Sequence, residues 1–245
     1  MKKIIIMMIV TALTLVGCVT KEDKRPGQNK DGSYTGVESI ETRAYDLKDF
    51  KHFNISNDFD TTIEKGDAFK VEVTTNKDVF DKLDISSSSN TLTAKNIKDV
   101  WFRETQISLT ITCPEVVNFN LDNDAKVMLI GAFSTNEDVS ISSQSDTSLT
   151  GELSSANLSV RSTSDSRITL SGTTNEIIVT AESDSKINLK DLIGTNASVT
   201  LSSDAKCDIN VSGEITLNSE SSPTLNVHSG KVNKQTVSED TIINE

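Results

Sequence analysis

The chain has 245 residues and a formal net charge of −12, from 36 acidic and 24 basic side chains with two histidines. Such an acidic chain repels nucleic acid and anionic lipid head groups, which excludes both as partners. Aromatic residues make up 4%, thin for a domain that stacks on sugars or bases, whereas β-branched residues recur throughout and favour strands.

Residues 1–17 begin with Lys2 and Lys3, continue as an apolar run from Ile4 to Val16 and end on a small residue, the layout of a secretory signal. The run is shorter than the roughly 20 residues a membrane span needs. Leu15-Val16-Gly17-Cys18 resembles the bacterial lipoprotein box, and that resemblance implies acylation of Cys18, which becomes the mature N-terminus and a membrane anchor. Loss of Lys2 and Lys3 leaves the mature chain more acidic still. Lys21-Glu22-Asp23 resembles the surface-export signal of Bacteroidetes lipoproteins and reads equally as a solvated charge run. The location is therefore an outer-membrane lipoprotein that is surface-exposed or periplasmic. Residues 18–49 are polar with no apolar period, which predicts a flexible tether of about 30 Å reach.

From residue 50 to 116 short alternating segments such as Phe53/Ile55, Val71/Val73, Leu83/Ile85 and Ile107/Leu109/Ile111 predict a β-rich N-terminal region that caps the repeats beyond it. Over residues 117–232 the chain repeats itself about every 20 residues. Asp124, Asp146, Asp165, Asp184, Asp204 and Ser222 align as one column. Seven and five positions earlier stand apolar residues, among them Val139 and Ile141, or Leu158 and Val160. Three and five later they return, as Ile168 and Leu170 or Ile187 and Leu189, with Gly151 the single exception.

Each unit therefore holds two short strands with polar residues facing out. A sandwich of hairpins gives no reason for one residue type to recur at one phase, but stacked coils do, because like residues then lie about 4.8 Å apart. The pattern predicts an all-β, parallel β-helix-like solenoid, with residues 233–245 as a C-terminal tail. A lone coil cannot offset its own ordering entropy, so the ends need covering.

The Ser-Asp pairs Ser145-Asp146, Ser164-Asp165, Ser183-Asp184 and Ser203-Asp204 suit the corner between the two strands. Two residues on stand Lys126, Arg167, Lys186 and Lys206, a basic column expected to offset the acidic one. Cys113 and Cys207 fall several coils apart, too far for a disulfide, and read as small buried hydrophobes.

"FNISNDFDTTIEKGDAFKVEV", "ISLTITCPEVVNFNLDNDAKV" and the "SSDAK"-like corners together resemble the bacterial "putative auto-transporter adhesin, head GIN domain" family, over about Phe50 to Val232. The resemblance implies a β-helix-like fold and a cell-envelope location, and it brings no catalytic motif. Where many members carry Ser-Gly-Ser-Gly at the corners, this chain has Ser-Asp.

No catalytic residue, cofactor or metal ligand is expected. The Asp column reads as structural corners or as a cation ladder, and the calcium-binding glycine-aspartate repeat is absent. His52 and His228 are read as surface or capping residues, and Trp101 as closing the end of the core, the alternative being a lone recognition aromatic. Asp60-Thr61-Thr62 and Asp240-Thr241-Ile242 resemble the Bacteroidetes O-glycosylation signal, which makes Thr61 and Thr241 candidate acceptors. The reading is a non-catalytic, lipid-anchored envelope protein, an adhesin or macromolecule-binding scaffold for a glycan or protein at the cell surface. The alternatives are a polysaccharide-acting enzyme on a β-helix and a periplasmic structural or assembly component.

Overall fold

The computed structural model describes residues 27–245; the segment 1–26, with the signal and Cys18, lies outside the described residues. In chain order the strands are β1 (Ile40–Tyr45), β2 (His52–Ser56), β3 (Phe59–Lys65), β4 (Lys70–Asn76), β5 (Leu83–Ser88), β6 (Thr91–Asn96), β7 (Ile107–Cys113), β8 (Asn118–Asp122), β9 (Lys126–Ile130) and β10 (Phe133–Ser134). There follow β11 (Val139–Ser143), β12 (Ser148–Ser154), β13 (Asn157–Ser162), β14 (Arg167–Thr173), β15 (Glu176–Ala181), β16 (Lys186–Ile193), β17 (Asn196–Ser202), β18 (Lys206–Glu220), β19 (Thr224–Val237) and β20 (Ile242–Asn244). Among the described residues the only helical element is a 3₁₀ turn at Phe80–Lys82; none is long and apolar enough to cross a membrane.

These strands wind as a β-solenoid. Along the first face β8, β11, β13, β15 and β17 lie side by side and parallel, and the later half of β18 continues the series. Along the second face run β9, β12, β14, β16 and the first half of β18. Alternation buries one row per strand: Leu158, Val160, Ile168 and Leu170 of a single coil are each at most 2% exposed. Successive coils repeat this row, so every interior aliphatic packs on its own kind above and below.

The corner explains the Ser-Asp pairs. Asn123 and Asp124, Ser145 and Asp146, and Ser164 and Asp165 all take positive φ, between 50° and 63°. Two consecutive left-handed residues turn the chain sharply, a conformation that short polar side chains tolerate and bulky ones resist. Asp124 N–H donates to the Ser145 carbonyl at 2.9 Å, and Asp146 N–H to the Ser164 carbonyl at 3.1 Å, so these three corners are bonded in series. Ser143 pairs with Ser162 before the corner and Ser148 with Arg167 after it. Asp146 and Asp165 therefore occupy adjacent rungs, as the column requires.

Beside each corner the interior is small and partly polar, which the apolar columns did not suggest. Ala125, Thr147, Ser166, Ser185 and Ala205 follow the corner residue and are at most 1% exposed. Ser166 Oγ donates to the Thr163 carbonyl at 2.8 Å, and Thr147 Oγ1 donates to Ser166 Oγ at 3.3 Å. Ser162 Oγ, equally buried, has no partner, and its neighbour on the next rung is Ala181. Removing an unsatisfied buried hydroxyl relieves desolvation. Ser162→Ala is expected to leave stability unchanged or raise it by up to about 1 kcal/mol, whereas Ser166→Ala lowers it by about 1 kcal/mol. Urea midpoints measure both.

A third, short face was not expected. Phe133 pairs with Leu153, Gly172 with Leu192, and Gly194 bridges Val211, and the large side chains among them are buried. Rungs two or three residues long, with a register shift between Thr169 and Ser171, are too brief to show a period.

Three expected boundaries are corrected. Residues 50–116 do more than cap: β2 and β3 form a complete coil whose corner is Asn57-Asp58, both at positive φ. That coil lies between β6/β7 on one side and β8/β9 on the other, parallel to both. The antiparallel strands β5, β4 and β1 then close the end.

The expected tether is also shorter. Tyr34 is 6% exposed, and β1 adds six rungs to β4, from Ile40 beside Asn76 to Tyr45 beside Val71. β1 itself has no fully buried residue and is held by its ladder to β4, so it lacks an apolar period. At the other end the tail continues the coil, since β19 runs to Val237 and β20 pairs with its start. Cys113 and Cys207 are free and buried, as expected.

Candidate functional site

The second face carries a run of unpaired positive charge. Arg167 stands beside Lys186 on the next rung, and Lys186 beside Lys206. Each precedes a buried residue, Ile168, Ile187 or Cys207, so strand alternation turns it outward. All three are exposed, and among the described residues none joins an ion pair.

The next outward column holds Thr169, Asn188, Asp208 and Asn226. With the basic residues these line a shallow cleft of about 250 Å³. Asn226 Nδ2 donates to Asp208 Oδ1 at 3.2 Å, and His228 Nε2 lies 3.2 Å from the same oxygen. One oxygen of the one carboxylate in the cleft is thereby engaged. The expected cancellation of the basic column by the corner aspartates takes no ion-pair form, because Asp165, Asp184 and Asp204 sit on the corner turns.

An acidic hollow of about 500 Å³ lies towards the N-terminal end, lined by Asp58, Asp60, Glu104, Asp124 and Lys126, with Ile107 behind them. Partial desolvation, then the neighbouring Asp124 carboxylate, raises the Asp58 carboxyl above its ordinary range. Among the described residues no grouping of His, Cys, Asp or Glu suits a metal ion. The thiols are not poised for reaction: burial pushes Cys113 up to about 12 and moves Cys207 in the same direction.

The other singled-out residues are scattered. His52 Nδ1 lies 2.9 Å from Asn118 Nδ2 on the neighbouring rung, far along the stack from His228. Trp101 does not close the core; it is 51% exposed, with Gly32 beneath its ring. Thr61 is 3% exposed and its hydroxyl faces the interior without a partner, so a glycosyltransferase has no access to it in the folded chain. Thr241 is half-buried and shares a hydrogen bond of 2.8 Å with Ser219. Cys18 lies outside the described residues. The basic ladder could be seen in the sequence as a column, but its freedom from ion pairs could not.

A family model described as "Putative auto-transporter adhesin, head GIN domain" matches residues 49–230. Several solved structures share the fold. A "putative adhesin" of Bacteroides fragilis superposes with a TM-score of 0.76 at 16% identity, covering 87% of this chain and 100% of its own. Another from Parabacteroides distasonis gives 0.65 at 13% identity, over 86% and 99%. A "putative lipid binding protein" of the same species gives 0.57 at 16%, over 86% and 98%. The comparison with curated proteins finds no significant match.

Proposed function

From the premise that the chain belongs to the auto-transporter adhesin head GIN domain family, we propose that it is a non-catalytic, lipid-anchored scaffold of the cell envelope that binds another macromolecule. The observation that carries this reading is the continuous parallel pairing from β6 to β19, in one register as far as β18. A stack whose rungs are bonded on both sides is stiff, and it repeats its outward side chains at one spacing, which suits an extended partner better than a reacting centre. Its corner aspartates recur from coil to coil, and the neighbours Asp58 and Asp124 belong to that same series of corners. Glycoside hydrolysis instead needs one singular pair of carboxylates.

Cys18 supplies the anchor in this reading. Gln28 already bridges Tyr34 on the body, so no more than residues 18–26 separate the lipid from the fold. At full extension they reach about 30 Å, which holds the body near the membrane. The end nearest the anchor also carries the exposed apolar side chains of Val37, Ile40, Ile97 and Trp101, suited to an interface. Cys18→Ser is expected to abolish incorporation of labelled palmitate and move the protein from the membrane fraction to the soluble one. Unchanged labelling would refute the anchor.

The scaffold reading is tested by deleting the gene and measuring attachment of cells to matrix, glycans and one another, with protease accessibility on intact cells as the companion measurement. Lost attachment together with surface cleavage supports it. Unchanged attachment with a protected protein favours a periplasmic assembly component, and release of new reducing ends from polysaccharide by the purified protein favours an enzyme. Of the two threonines, Thr241 is the acceptor position retained, and a mass increase that disappears in Thr241→Ala checks it.

A further inference from the structure

Resting on the scaffold reading, and giving its partner a chemical class, we propose that the cleft of Arg167, Lys186 and Lys206 binds a short segment of acidic polysaccharide, two to three sugar units bearing carboxylate or sulfate groups.

Three like charges on consecutive rungs are not neutral for the fold. At about 4.8 Å, each adjacent pair repels by roughly 1 kcal/mol in water, and like charges directly across a ladder destabilise a sheet. No described carboxylate pairs with any of them, although Arg161, on the first face of the same coil, pairs with Glu182 at 2.9 Å. The fold therefore gains nothing visible from this column, and an anion bound across it removes the repulsion.

The surroundings narrow the anion. Thr169 and Asn188 lie alongside the cations and offer a hydroxyl and an amide group, which match the hydroxyl groups of a sugar, whereas Asn226 is engaged by Asp208 and Asn244. No exposed large hydrophobic side chain lines the cleft, so nothing there can insert into a lipid layer. From Arg167 to Lys206 is two rungs, about 10 Å, close to the length of a disaccharide. One anionic group per sugar would meet all three cations, and one per disaccharide would meet the outer two.

The net charge of −12 does not contradict this. At physiological ionic strength charges are screened beyond about 8 Å, so a segment seated in the cleft responds to the charges around it, the three cations together with Asp208 and the corner aspartates two residues before each cation, and not to the net charge of the whole chain. A long polyanion that ran on over the corners would meet Asp165, Asp184 and Asp204. That restricts the ligand to a short segment or a chain end, and it sets this site apart from nucleic-acid binding.

The test uses the full-length protein in detergent, titrated calorimetrically with trigalacturonate, a sulfated disaccharide, a neutral trisaccharide, inorganic sulfate and phosphatidylglycerol vesicles. The expected result is one-to-one binding of an acidic oligosaccharide and none of the neutral one. Affinity should fall as salt rises, and by about tenfold or more in R167Q/K186Q/K206Q, the loss of three exposed charge-assisted contacts. A second variant, K126Q/K190Q, removes two exposed lysines outside the cleft and should bind as the parent does. Equal binding by both variants, no binding of either acidic sugar, equal binding of free sulfate, or binding of vesicles alone would each overturn the proposal. If cells carrying the triple variant still attach while the deletion strain does not, this site is wrong and the scaffold reading survives.

Discussion

Phe119→Ala is expected to remove about 3–5 kcal/mol of folding stability and to separate the unfolding of the N-terminal end from that of the repeats. Phe119 and Phe53 are 2% and 1% exposed, and their rings stack at 5.2 Å with 15° between planes. They sit where β2 meets β8, and the ladders β2–β8 and β3–β9 join the N-terminal coils to the rest. In a solenoid, stability is close to a sum of coil and interface contributions, so weakening one interface uncouples the two sides. Trp101 is the single tryptophan and lies at the N-terminal end, so its fluorescence follows that end while far-ultraviolet circular dichroism follows all the strands. The two urea curves should part in the variant. Curves that coincide, with less than about 1 kcal/mol lost, would mean that this junction does not hold the ends together.

Phe53 and Phe119 also mark how far the fold could be read from residues alone. "FNISND" and "FNLDND" are one motif written twice, and their corners, Asn57-Asp58 and Asn123-Asp124, adopt the same left-handed turn. The kinship lay open in the sequence, but β4 to β7 intervene, and the chain returns to build its next coil on the far side of the first. A search for period assumes that neighbours along the chain are neighbours in space. That held from Asn118 to Glu220, where the columns predicted the rungs of the first face and the start of each rung of the second, and failed before it.

What had no apolar period was missed for a different reason. β1 and the later half of β19, with Lys231, Lys234 and Gln235, lie at the outer edges of the stack. A terminal rung is bonded on one side and meets water on the other, so it is built from backbone hydrogen bonds and polar side chains. Its composition then resembles a tether or tail. The candidate site shows the same limit. A column of Arg167, Lys186 and Lys206 could be aligned on paper, but whether the corner aspartates reach it depends on the direction in which the left-handed residues Ser164, Asp165, Ser183 and Ser203 turn the chain.

Gly151 allows the repeat to be tested where it breaks its own rule. It occupies an inward position at which the other coils carry Leu129, Leu170, Leu189, Ile209 and Val227, and Gly151→Leu would restore the consensus. The expected outcome is the reverse of what consensus suggests: a loss of at least about 3 kcal/mol. A Cβ at position 151 would lie 2.4 Å from the Cβ of Leu129 and 3.0 Å from its carbonyl oxygen, and φ there is +154°, a backbone region that side chains resist. The first atom added causes the clash, so Gly151→Ala should already cost most of it, and Leu129→Ala should not rescue either variant because the obstructing Cβ remains. Two exposed residues, Met128 and Ile130, flank Leu129, and Gly131 follows at φ +88°, where the chain leaves the common path for the loop to Val139. This coil departs from its neighbours there, and the glycine one rung on accommodates the departure. Circular dichroism melts of the three variants decide it: a Gly151→Leu protein as stable as the parent would show that the interior can accept the consensus residue.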